Sequence, residues 1–186
     1  MRPRQPRRTP RYPFLFAILL VGSTLTSGWA AQDKKPAIFP PITGYSLDKQ
    51  KVTLPGGLEG QTNLLIISFQ PEQQKDVESW LPAAQALQHG NFQFRYYQLP
   101  VSGRENVLFR WWETSSMRSD QTDPETWHWI IPLFIERRKF LNALDIPDQK
   151  LVVVLLVNRE GQVLWRQSGP MTPEKRAALM AAAGPH

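Results

Sequence analysis

Two apolar runs constrain this chain more than any other feature. Asn63–Phe69 (NLLIISF) and Lys150–Val157 (KLVVVLLV) are continuous, of strand length and β-branched in the middle. That is the pattern of strands buried on both faces, not the alternation of a strand with one wet face. A sheet with dry inner strands needs a cover on each side, so the expected fold class is a three-layer α/β domain.

The remaining segments supply the cover. From Asp76 to Gln88 the apolar residues Val77, Trp80, Leu81, Ala84 and Leu87 fall at helical spacing and form one stripe. Pro82 lies inside this stretch, where it should kink or delimit the helix. Phe92–Leu99 (FQFRYYQL) is aromatic-rich and partly alternating, as in a strand. Lys51–Leu54 is a short strand candidate broken by Pro55-Gly56-Gly57.

In the long middle segment, 104–145, Glu105–Glu113 reads as helix and Ser115–Gln121 as polar loop. Thr122-Asp123-Pro124-Glu125 reads as a helix start, and Leu133–Leu144 as a second helix after Pro132. Asn158–Gly161 is a turn that makes Gln162–Gln167 the hairpin partner of the second apolar run. Thr172-Pro173-Glu174 caps a final Ala-rich helix reaching about Ala183.

The N-terminus reads as a targeting segment. Residues 1–30 hold five arginines (Arg2, Arg4, Arg7, Arg8, Arg11) and no acidic residue, then the apolar run Phe14–Val21, then small residues up to Gly28-Trp29-Ala30. This is the plan of a secretory signal peptide cut after Ala30. Left uncleaved, residues 14–21 would be the only part to touch a membrane, as an inner-membrane anchor with the arginines inside. The Arg7-Arg8 pair lacks the flanks of a twin-arginine signal, and the apolar block argues against a mitochondrial presequence. The expected location is periplasmic or secreted. Residues 31–41, Pro-rich from Asp33 on, read as a linker, and 42–183 as the folded domain.

Charge and cysteine exclude whole function classes. Taking the five N-terminal arginines from the 22 basic residues leaves 17 against 16 acidic ones, so the formal charge of +6 belongs to the leader. No nucleic-acid partner is expected from a domain so close to neutral. The 186 residues contain no cysteine. That removes disulfides, thiol nucleophiles and thiolate metal sites from the possible chemistry.

At this point the residues resemble a thioredoxin-like domain. The run LLIISF, the turn after it and Pro82 are similar to that fold's first core strand, active-site turn and kinked helix. Counting back five residues from the proline, the resemblance places the family's two cysteines at Gln74 and Val77. The stretch VVVLLVNREGQVLWRQSG is similar to the closing hairpin and places the cis-proline position at Val152. All three redox positions are thus vestigial.

A narrower resemblance over about 42–180 is to the mitochondrial ATP synthase assembly factors, which are thioredoxin-like without redox chemistry. It rests on Glu105-Asn106, the segments FRWW, MRSD and PLFIERR, and Trp165, Ser168 and Gly169. The family's Gly-Tyr-rich strand is Val-Val-Val-Leu-Leu here and its Asp is Asn158. The resemblance implies a protein partner, such as a membrane-complex subunit, with no catalytic residue, cofactor or metal.

Trp and Arg are enriched at binding hot spots. Arg110, Trp111, Trp112, Arg118, Trp127 and Trp129 are therefore candidate partner-binding residues. The plainer reading is that these tryptophans fill a second small core with the arginines solvated outside. Of the three histidines (His89, His128, His186), only His128 has a setting suited to acid/base or metal chemistry, with Asp120, Asp123 and Glu125 upstream. An envelope enzyme using these groups is one alternative function, and a purely structural envelope domain is another.

Overall fold

The computed structural model describes residues 37–103 and 124–184. The strands are β1 (Ile42–Tyr45), β2 (Lys51–Leu54), β3 (Thr62–Ser68), β4 (Phe94–Ser102), β5 (Leu133–Phe134), β6 (Val153–Asn158) and β7 (Val163–Ser168). The helices are α1 (Gln74–Gly90), α2 (Pro124–Trp127), α3 (Arg137–Ala143) and α4 (Pro173–Ala182).

β1 and β2 form an antiparallel hairpin, and the other five strands make one sheet in the order β5-β4-β3-β6-β7. β3 is central: it runs parallel to β4, as a crossover through α1 requires, and antiparallel to β6. The two apolar runs lie side by side, with Ile67 opposite Val153 and Leu64 opposite Leu156.

Alternation along the strands sends side chains into two cores. One face carries Leu65, Ile67, Tyr97, Leu99, Leu155 and Val157, covered by Leu54 of the hairpin, Leu58, and Phe140 and Leu144 at α3. The other face carries Leu64, Ile66, Phe94, Tyr96, Val154 and Leu156 against Val77, Trp80, Ala83 and Ala84 of α1 and Leu179 of α4. Each fully buried Leu or Ile contributes roughly 1.5–3 kcal/mol of transfer free energy. The layers expected from the sequence are present on both sides.

Differences from the sequence reading are local. α1 continues through Pro82 to Gly90, because the proline ring faces solvent on an exposed surface of a helix whose other side is held by Trp80, Ala83 and Ala84. The stretch read as one helix from Leu133 to Leu144 begins instead as a strand. Leu133 and Phe134 pair in parallel with Val101 and Ser102, and only Arg137–Ala143 is helical. Satisfying the open edge of β4 outweighs local helical propensity there. Phe39, within the Pro-rich segment, is 1 % exposed and donates its N–H to the Gly161 carbonyl at 2.7 Å. The expected helix at Glu105–Glu113 and loop at Ser115–Gln121 lie outside the described residues.

Candidate functional site

Two places follow from the residues singled out above, and they sit beyond opposite ends of β3. At the C-terminal end the chain leaves Ser68 and makes a single 3-10 turn, Pro71–Gln73, before α1. Gln73 organises this turn. Its Oε1 accepts from the backbone N–H groups of Phe69 at 2.7 Å and Gln70 at 3.3 Å, and its Nε2 donates to the Gln149 carbonyl at 2.8 Å. Gln73 is 5 % exposed, so one amide satisfies two donors and one acceptor that water cannot fully reach.

Gln74 follows as the first residue of α1 and is partly exposed, with Nε2 donating to Glu78 Oε1 at 3.0 Å. Val77 is 2 % exposed and Val152 is fully buried, and both belong to the same apolar cluster as Trp80 and Trp165. The three vestigial positions thus divide into one surface amide and two core valines. Behind them, Trp80 Nε1 donates to the Gly169 carbonyl at 3.0 Å, and the Gly169 N–H donates to the Val152 carbonyl at 2.7 Å. None of these side chains offers a nucleophile or a redox couple.

The second place lies beyond the N-terminal end of β3, where the chain returns to the domain after α2. His128 is held on both sides: Nδ1 is 3.0 Å from Asp48 Oδ2 in the β1–β2 turn, and Nε2 is 2.7 Å from Glu59 Oε1 in the loop before β3. Its ring stands edge-on to Trp129 at 4.8 Å. Partial burial works against the charged imidazole, but the bonds from Asp48 and Glu59 outweigh it and raise the His128 pKa. Asp48 answers in the opposite sense. Desolvation opposes the shift, and hydrogen bonds from Ser46 and His128 hold its carboxyl below the usual value.

Cations and aromatics complete the cluster. Arg95 Nε is 3.8 Å from Glu59 Oε2, and its guanidinium lies 6.0 Å from the centre of the Trp129 ring. Arg159 donates to the Glu59 carbonyl at 3.2 Å, and the Glu59 N–H donates to the Tyr97 hydroxyl at 3.0 Å. Burial pushes the Tyr97 phenol up to about 12, so it stays a neutral acceptor at ordinary pH. Trp129 also meets Tyr97 edge-on at 5.5 Å.

Of the six candidate partner-binding residues, Trp127 and Trp129 are described, both at intermediate exposure. Trp129 packs against both cores. The Trp127 carbonyl accepts from the Leu47 N–H at 3.2 Å. Arg110, Trp111, Trp112 and Arg118 lie outside the described residues, as do Asp120 and Asp123. Only the backbone of Glu125 is described.

Asp48 and Glu59 engage both ring nitrogens of His128. No group of three or more His, Asp or Glu side chains among the described residues is placed to hold a metal ion. Sequence reasoning missed Asp48, Glu59 and Arg95, which lie far from His128 along the chain. It also missed Gln73, one residue before a position it named.

No family model and no curated protein matches the chain. Solved structures do match. The thioredoxin domain of a thiol-disulfide oxidoreductase from Bacteroides vulgatus superposes with a TM-score of 0.56 at 15% identity, over 80% of this chain and 98% of that one. BsSco, a member of the Sco family of cytochrome c oxidase assembly proteins, gives 0.55 at 15% identity, over 80% and 95%. The exposed lipoprotein thioredoxin of Streptococcus pneumoniae gives 0.50 at 13% identity, over 77% and 98%. At such identities the likeness speaks for fold. The chain has a thioredoxin-like fold in which no thiol occupies the turn before α1.

Proposed function

We propose that this is a non-catalytic, exported thioredoxin-like protein that binds another protein, as an assembly factor or chaperone for a membrane complex. The observation that carries this reading is the state of the turn before α1. Gln74, Val77 and Val152 stand where the resemblance places two cysteines and a cis-proline, and two of the three are packed into the core. Neither an amide nor an aliphatic side chain can form the mixed disulfide that thiol exchange needs. A fold whose thiol and proline positions carry a surface amide and two packed valines is suited to recognition.

Two observations support the rest. The leader pattern at residues 1–30 favours export, and one structural neighbour is an exposed lipoprotein thioredoxin, which is consistent with it. The assembly role draws on the sequence resemblance to ATP synthase assembly factors and on BsSco's membership of an assembly-protein family. The partner surface is assigned to Arg110, Trp111, Trp112, Arg118, Trp127 and Trp129.

Crosslinking the full chain in native membranes, followed by identification of what is captured, tests the proposal. One membrane-complex subunit should dominate, and capture should fall at least tenfold in Trp111→Ala or Trp112→Ala. Equal capture by wild type and both variants would remove the surface assignment. Insulin reduction or peroxide consumption well above a denatured control would remove the non-catalytic reading.

A further inference from the structure

We propose that His128, bridged between Asp48 and Glu59, is a pH-operated clasp that fastens the end of the α2 segment to the β1–β2 turn and to the loop before β3. The argument begins with hydrogen-bond inventory. An ionised carboxylate can only accept, and a neutral imidazole has one N–H and one lone pair. With Asp48 Oδ2 at 3.0 Å from Nδ1 and Glu59 Oε1 at 2.7 Å from Nε2, both bonds exist together only when the ring carries both protons. Loss of one proton leaves a lone pair facing a carboxylate oxygen, so one of the two arms has to open.

The other charges around the ring leave the clasp intact. From β4, Arg95 is directed at Glu59 Oε2, the oxygen that His128 does not use. From the β6–β7 turn, Arg159 reaches the Glu59 main-chain carbonyl. From the β1–β2 turn, Ser46 donates to Asp48 Oδ1 and leaves Oδ2 for the ring. Tyr97, on β4, meets only the Glu59 N–H and carries no charge. Each carboxylate therefore has one oxygen reserved for His128 and another held by a fixed neighbour.

A backbone hydrogen bond spans the same two segments: the Leu47 N–H is shared between the carbonyls of Trp127 at 3.2 Å and Ile130 at 3.1 Å. Opening the clasp exposes this shared bond to water. The consequence is a local, reversible loosening as pH rises, centred on residues 46–50 and 127–130, with the two cores unchanged.

Imidazole 15N and 1H NMR on the full chain tests it, with the His128 signal identified by its loss in His128→Gln. Both ring nitrogens should carry protons at acidic pH. The midpoint should lie above the ordinary histidine value of 6.5 and should fall in both Asp48→Asn and Glu59→Gln. Leu47 amide exchange should rise through that midpoint beyond its intrinsic base-catalysed trend, and the extra rise should vanish in Glu59→Gln. A midpoint at or below the ordinary value would overturn the clasp, as would an unchanged midpoint in both carboxylate variants. So would an extra rise at Leu47 that persists in Glu59→Gln.

Discussion

The two ends of β3 solve the same problem, joining distant segments, by opposite means. At the C-terminal end a neutral amide, Gln73, ties the turn before α1 to Gln149, and the neighbouring valines are dry. At the N-terminal end a charged group, His128, ties two turns together at partial exposure, its side chain 35% accessible. The first tie has no titratable member and should hold across the pH range. The second exists only while three ionisable groups keep their charges. A fold whose chemistry usually sits beyond strand C-termini has no thiol in the turn there, and the charged His128 bridge lies at the other end.

The largest expected effect lies in the dry region. Trp80→Ala removes a fully buried indole and its bond to the Gly169 carbonyl. It should cost about 3–5 kcal/mol in urea denaturation, equally at pH 5 and pH 8. A marked pH dependence of that loss would erase the contrast between the two ends.

Gln73→Leu keeps much of the volume but strands the N–H of Phe69 and the carbonyl of Gln149. The expected cost is about 1–3 kcal/mol, again flat with pH. A neutral result would mean that water replaces the amide and that the turn is wetter than its burial indicates.

Gly161→Ala probes the charged end without touching a charge. Gly161 has φ +80, and an added Cβ would lie 2.7 Å from Pro55 Cγ. A loss of roughly 1–2 kcal/mol, independent of pH, separates backbone strain in this region from its electrostatics.

The smallest effect should come from His128→Gln, at most about 1 kcal/mol, because exposed ion pairs are screened by solvent. Its sign with pH is distinctive. A histidine whose folded pKa is raised stabilises fully below the unfolded value of 6.5, and that contribution is lost as pH rises through the folded pKa. Asp48, held low, contributes above its ordinary 3.8 and loses that contribution as pH falls through its folded value. Wild type and variant should therefore differ near pH 5–6 and converge in alkali. A difference that grows with pH would reverse the assignment of charge at His128.

The contrast also marks how far the sequence could be read. The buried runs, the α1 stripe and the Asn158–Gly161 hairpin signal their structures locally, by period and turn chemistry, and Thr172 does cap α4 at the Lys175 N–H. β5 does not: Leu133 and Phe134 suit the apolar face of a helix, and only the open edge of β4 makes them a strand. His128 drew notice for the carboxylates just upstream, yet its partners are Asp48 and Glu59. Each sits in an ordinary polar turn where an acidic residue needs no explanation. Pairings of that kind are fixed by how the layers stack, and no local pattern announces them.

The position of β6 beside β3 has a further meaning for how the chain can vary. Ile67 cannot pair with Val153 until everything between them has been gathered into a closed loop. The entropy of that closure grows only logarithmically, about 0.6 kcal/mol for each doubling of loop length. Lengthening or shortening the chain between these two strands therefore changes the cost of closing their pairing only slightly.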